Sequence, residues 1–329
     1  AMEVLNDYGA VNFFGVPTLT EGVFRTWFRL EDPASAVRLA ALLTVSILAV
    51  LAYEQWQRGR ARFTTGGTPG ALLARRRVRG WAVLPPVLAC VVPLGLGLVY
   101  PAGQLALWSI ESARMYPPVL DTVQVLRSLG LAACTAAVVT LCALLLSYTV
   151  RLYPHRGLRG LVRLSALGYA LPGAAVAVGV MQVLGAFDQT GLLPAFLSGT
   201  LYAVVFGYLA RFLAVPLQSV TGGMARICGS LDEASRTLGH GPANTLRHVN
   251  IPLLRATLVA SAMLLFVDIL KELPLTMLLR PANFDTLAVT AFGLAKEGRI
   301  HECAFPSLLI VCIGALGLVL LNRTLRNAG

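Results

Sequence analysis

Long apolar runs dominate the chain, and six of them reach about the 20 residues a helix needs to cross hydrocarbon: roughly 35–53, 81–100, 126–150, 164–187, 193–212 and 303–322. A seventh, 253–275, is apolar but carries Asp268, Lys271 and Glu272 toward its end. The ten-residue alternating segments of a membrane β-barrel are absent from the sequence. The pattern predicts an all-α polytopic membrane protein of about seven spanning helices. Pro93, Gly95, Gly97, Pro172, Gly173 and Gly179 fall inside predicted spans, where neighbouring helices can satisfy the backbone groups they disturb.

Composition agrees. Of 329 residues 56% are hydrophobic and only 13% charged, against roughly 25% charged in a soluble domain; mean hydropathy is +0.71. The net charge of +11, from 27 Lys+Arg against 16 Asp+Glu, gains meaning from its placement. Segments 54–80, 151–163, 211–255 and the C-terminal tail hold 18 of the 27, including Arg75, Arg76, Arg77 and Arg79. Segments 16–35, 101–125, 188–192 and 276–302 hold six. Short basic loops stay in the cytoplasm, so the first set is inside and the second outside, alternating across seven crossings. The same rule accounts for the basic stretch 58–79 without nucleic acid, and the expected location is a membrane with one face to the cytoplasm.

Cys90, Cys134, Cys142, Cys228, Cys303 and Cys312 show no metal-binding spacing and read as small packing residues. His155, His240, His248 and His301 are scattered, and no metal site is assigned. No basic stretch of a signal peptide precedes the first run, and Glu3 and Asp7 arrive at once. At an offset of 265, Glu3 meets Asp268, Asp7 meets Glu272, and Phe13 and Phe14 meet Leu278 and Leu279. Each stretch precedes a polar outer loop and one further span, the order expected of an internal repeat. The expected organisation is the tail of a first half at 1–53, a linker at 54–80 that includes the turn-forming Thr64–Gly70 cluster, and a second half at 81–329. A chain of that make-up is expected to be a piece of a two-half protein, incompetent for transport alone.

The polar stretch LDEASRTLGHGPANTLRHVNIPLL, 231–254, interrupts the oily chain. Ser230 and Glu233 have the spacing of a capping box, Gly239 suits the left-handed end of a helix, and Pro242 suits the first turn of another. Leu231, Ala234 and Leu238 share one face of the first helix, Leu246 and Val249 one face of the second. Pro252 is read as the bend into the next span. A helix, a glycine turn and a second helix are thus predicted on the cytoplasmic side.

This stretch resembles the loop of binding-protein-dependent ABC importer permeases, whose pattern is EAA, three residues, Gly, nine residues, I-x-L-P. Here stand Glu233, Ala234, Ser235, Gly239, Val249, Asn250, Ile251 and Pro252, with Ser235, Val249 and Ile251 as conservative departures. The resemblance implies a MetI-like transmembrane bundle whose coupling loop, 226–254, docks on a cytoplasmic ABC ATPase dimer. Ala234, Ser235 and Gly239 would permit close approach, and Glu233 would cap the helix and contact that partner. It implies a periplasmic substrate-binding protein as a second partner and ATP with Mg on the ATPase, none bound by this chain; no GxxxxGK[ST] occurs in the sequence. KELPLTMLLRPANFDTLA, 271–288, is similar to the ferric iron permeases of that superfamily, while phosphonate, thiamine, sulfate and polyamine permeases share much of the pattern.

Asp268 and Glu272 are four apart, as are Glu3 and Asp7, so each pair is expected on one helix face. Intramembrane acids usually face a water-filled path, which makes these four candidates for a cation path. The alternative reading places them at solvated helix ends with Lys271 neutralising one. Arg280 and Pro281 open an outer loop, where the arginine either snorkels or meets the binding protein. An intramembrane enzyme would need paired catalytic groups inside spans, which the sequence lacks. A channel or secondary transporter would have no use for the cytoplasmic helix pair.

Overall fold

The computed structural model describes residues 7–60, 80–115, 122–165, 167–191 and 197–326, and every regular element among them is a helix. In chain order these are α1 Gly9–Phe13, α2 Leu19–Phe28, α3 Pro33–Arg60, α4 Leu84–Met115, α5 Thr122–Leu152, α6 Arg156–Ser165 and α7 Gly173–Thr190. They continue as α8 Leu201–Phe212, α9 Ala214–Ala225, α10 Gly229–Thr237, α11 Pro242–Leu270, α12 Pro274–Leu279, α13 Leu287–Lys296 and α14 Ile300–Arg326. Glu3 and the linker residues Arg62, Arg75, Arg76, Arg77 and Arg79 lie outside the described residues.

Five helices are long and apolar enough to span a bilayer, α3, α4, α5, α11 and α14, and the pair α8–α9 makes a sixth span bent by 50°. The bend precedes Pro216, which has no N–H to donate to the Phe212 carbonyl. The predicted span 193–212 is thereby corrected to a bent pair running on to Ala225. The predicted span 164–187 breaks at Leu171–Pro172. Beyond the break runs the 18-residue α7, rich in Gly and Ala, with Ala174 and Ala177 fully buried. Small residues let backbones approach closely in a membrane bundle, and α7 packs against α3, α8 and α12. Gly207 of α8 serves the same end: a Cβ there would stand 2.6 Å from Leu279 Cδ1.

Two spans run further than hydropathy suggests, and one device accounts for both. A five-residue π turn, Gly95–Val99 in α4 and Leu246–Asn250 in α11, ends two residues before a proline, Pro101 or Pro252. A proline inside a helix removes an N–H and crowds the carbonyl four residues back. Slipping the preceding turn to i→i−5 bonds, as Ile251 N–H does to the Leu246 carbonyl, lets the helix pass through. Pro252 therefore does not break the helix, and the second helix of the polar stretch is the first part of α11.

The two ends of the described chain share one order of elements. A short helix (α1, α12), a ten-residue helix (α2, α13) and a long apolar helix (α3, α14) succeed one another in each. Thr18 and Thr286 are the N-cap residues of α2 and α13. Phe24 and Phe292, at the same place in those helices, both pack on Tyr8, with ring centroids 3.7 and 5.3 Å away. The main core gathers α2, α5, α7, α8, α11 and α12 around Val23, Val139, Val204, Leu265 and Leu275. A smaller core at the α10 end of the bundle, Leu144, Tyr148, Val220, Met224 and Leu254, carries α10 and the start of α11.

Candidate functional site

The polar stretch forms a clasp whose buried side is polar. α10 starts with Cys228 as N-cap and no side-chain cap bond, so the Ser230–Glu233 capping box does not form. Arg151, at the end of α5, fixes the start instead. Its guanidinium donates to the carbonyls of Met224 (2.5 Å) and Ile227 (3.0 Å) and to Asp232 Oδ2 (2.6 Å). Asp232 Oδ1 accepts from Asn250 Nδ2 at 3.2 Å, the Ser235 and Thr245 hydroxyls meet at 2.8 Å, and Tyr148 O–H donates to the Pro242 carbonyl at 2.8 Å. Buried charges and amides persist only when partnered in this way.

Gly239 is as expected: at φ +83° it ends α10 in a Schellman motif, with its own N–H on the Arg236 carbonyl and His240 N–H on that of Ser235. The apolar face of Leu231, Ala234 and Leu238 points outward; Leu238 is 77% exposed. Glu233, Gly239 and Pro252 are exposed too, Val249 and Ile251 half-buried, and Ser235 is turned into the clasp. The outward face results from Asp232 and Ser235, whose bonds to Arg151, Asn250 and Thr245 claim the inner side.

The four path candidates part company. α11 ends at Leu270, so Asp268 and Glu272 do not share a helix face. Asp268 is 3.1 Å from Lys271 Nζ. Glu272 turns inward, pairs with Arg211 of α8 and accepts from Leu275 N–H at 3.3 Å, holding the first turn of α12. Both side chains of that pair are more than nine-tenths buried. Gly173 makes the room: a Cβ there would sit 2.1 Å from Arg211 Nη1 and 2.7 Å from Glu272 Oε1. Arg211 is therefore not a cytoplasmic loop residue, as its place at the end of an apolar run suggests, but the counter-charge inside the bundle. An arginine inside an apolar run was the signal for it, since such a charge requires a partner.

Asp7 and Glu272, matched by the 265-residue offset, line one cavity of about 360 Å³ with Tyr8, Gly9 and Lys271. Asp7 is exposed and its carboxylate accepts from Ala10 N–H at 3.1 Å, at the start of α1. Burial against Phe24 and Phe292, and the nearby Glu21, push the Tyr8 hydroxyl up to about 12. Arg280 is paired with Asp285, and its own burial lowers its pKa. Among the described residues no cluster of three or more His, Cys, Asp and Glu is arranged to hold a metal.

No family model matches the chain. A putative 2-aminoethylphosphonate transport system permease protein of Salmonella typhimurium is 29% identical over 204 residues, 62% of this chain and 75% of that protein. The Fe(3+)-transport system permease protein FbpB 2 of Haemophilus influenzae is 20% identical over 331 residues, 98% of this chain and 63% of that protein. The solved bacterial alginate ABC transporter, in complex with an alginate pentasaccharide-bound periplasmic protein, has a chain that superposes with a TM-score of 0.57 at 13% identity, covering 74% of this chain and 92% of its own. Homologues of this chain are inner-membrane permeases of ABC importers, ferric ones among them, and its fold is that of an ABC importer permease.

Proposed function

We propose that this chain is the membrane subunit of an importer in which α10 and the first turn of α11 dock on a cytoplasmic ABC ATPase dimer. The observation that carries this reading is the inverted clasp: an exposed apolar face, Leu231, Ala234 and Leu238, over a buried polar network. That apolar face, backed by charge, has nothing to pack on among the described residues, and Gly239 between the helices keeps the surface low enough for close approach. Arg151, Asn250 and Tyr148 tie α10 to α5 and α11, so a push on α10 displaces those spans together. ATP and Mg belong to the partner, and the chain hydrolyses nothing.

Co-purification with the ATPase tests this. Leu238→Arg should lower ATPase capture at least about tenfold, the effect of losing a central apolar contact, while helicity by circular dichroism stays unchanged. Undiminished capture by Leu238→Arg would sink the reading.

In the same reading, residues 1–53 are the tail of a first half and 81–329 a second half. Phe13 and Phe14 would then be covered by first-half counterparts of α7 and α8. A periplasmic binding protein delivers the solute to the outer side, and Asp7 and Glu272, with Glu3 and Asp268, flank its path. Two solutes have support. Ferric iron has the relative matched over nearly the whole chain, and 2-aminoethylphosphonate the relative of higher identity. Uptake of each by the complete assembly in proteoliposomes decides between them, and Asp268→Asn with Glu272→Gln should reduce the uptake of ferric iron if the acids serve a cation.

A further inference from the structure

Six cations lie in the outer segments, where the positive-inside rule keeps them scarce. Arg280 is paired with Asp285, and Arg299 with Glu297 and Glu302. Three of the others, Arg25, Arg29 and Lys296, gather at a single cavity of about 630 Å³ between α1–α2 and the α13–α14 turn. Arg25 stands in the last turn of α2 and Arg29 is its C-cap residue, and Lys296 ends α13, where the helix dipole favours a cation. Glu21 is the one carboxylate of the lining, Asn12 adds an amide, and Phe13 gives it an apolar edge. Among the described residues these three cations form no ion pair with protein carboxylates.

Like charges held together repel, and outer cations oppose the orientation of the spans. The arrangement gains if an anion enters it. The deeper acids offer a cation little: Glu272 is answered by Arg211 and Asp268 by Lys271. The volume falls within the roughly 300–1,000 Å³ of small-molecule sites, and a cationic cleft concentrates anions at its mouth. We propose that this cavity is an outer binding site for a small oxyanion-bearing solute, a phosphonate, phosphate or carboxylate, held by Arg25, Arg29 and Lys296. The site rests on the importer reading and names the substrate class for it.

Equilibrium dialysis of the full chain in zwitterionic lipid nanodiscs, with labelled inorganic phosphate and methylphosphonate at constant ionic strength in chloride, is the test. Saturable binding at one site is expected, weakened at least about tenfold by Arg25→Gln with Arg29→Gln, as befits lost charge-assisted hydrogen bonds. Lys296→Gln, on an exposed helix end, should weaken it severalfold and keeps the test decisive if the double variant misfolds. Arg114→Gln, outside the cavity, should leave binding unchanged. Absent saturable binding, or equal binding by the variants, would overturn the site. So would variants that lose only the capture of an acidic periplasmic protein while still binding phosphate, since the cations would then serve protein docking. ATPase capture through Leu238 reads the importer assignment separately, so a failure here with capture intact falls on this site alone.

Discussion

Asp7 and Glu272 hold corresponding places in segments that share one order of elements, yet their surroundings differ. Asp7 is exposed and accepts a hydrogen bond from Ala10 N–H of α1, whereas Glu272 is buried against Arg211. Phe13 and Phe14 are 49% and 75% exposed; Leu278 and Leu279, their counterparts, are 5% and 2% exposed. The difference lies in the neighbours. α12 packs on α7 and α8, whose Gly173 and Gly207 leave room for an ion pair and for Leu279, and among the described residues α1 has no such pair of helices packed on it. Similar local sequences thus acquire different burial, charge pairing and energetic weight from what stands next to them.

Four measurements can break or sharpen this contrast. The largest effect is expected at the ion pair: Arg211→Met strands the Glu272 charge and should cost about 3–5 kcal/mol, read by unfolding in detergent. Asp7→Asn should stay within about 0.5 kcal/mol, as surface changes do. Equal losses at the two sites would erase the contrast. Arg211→Met combined with Glu272→Leu should recover much of the loss, because an apolar pair of similar volume also satisfies a buried site.

Leu279→Ala should cost about 2–5 kcal/mol through its cavity, and Phe14→Ala within about 0.5 kcal/mol. If Phe14→Ala becomes as costly in a longer assembly that supplies further helices, the two-half organisation gains its energetic signature.

Gly173→Ala should cost about 1–3 kcal/mol by overpacking against Arg211 and Glu272. Thermal unfolding alongside Gly9→Ala, where the added methyl would stand 3.3 Å from the flexible end of Leu273, should show a smaller loss at Gly9.

The last effect, absent at neutral pH, is a pH dependence confined to the first segment. Tyr8 ionises at about 12 in the folded chain, above its ordinary value near 10, so folding favours the protonated phenol. Its contribution is complete below pH 10 and lost as pH rises from 10 to 12, by at most about 1.4 kcal/mol per pH unit for one proton. Tyr8→Phe should remove that slope; Leu273, the counterpart, has nothing to titrate. An unchanged slope in Tyr8→Phe would assign it to another group.

Much of the fold was legible because its signals are local. Spans show as runs of apolar residues, and Gly239 as the one residue at ease at φ +83°. The errors came where local rules met distant partners. A capping box at Ser230 and Glu233 was a sound local expectation, but Arg151, more than seventy residues earlier, anchors the helix two residues sooner. A proline at 252 predicts a bend unless the turn before it slips to π geometry. Hydropathy also placed a span at 164–187, although it breaks before Pro172 and α7 begins only at Gly173.

The sequence by itself determined that this chain lives in a membrane and where the glycine-centred helix pair lies along it, since each depends on composition or on one residue's backbone freedom. The tertiary structure alone decided which acids are charged partners and which are free, that Arg211 answers Glu272, and that the apolar face of α10 looks outward while its polar face is buried. Those outcomes depend on groups distant in the chain meeting in a medium with little water, where a charge or amide is tolerated only if the fold supplies its partner.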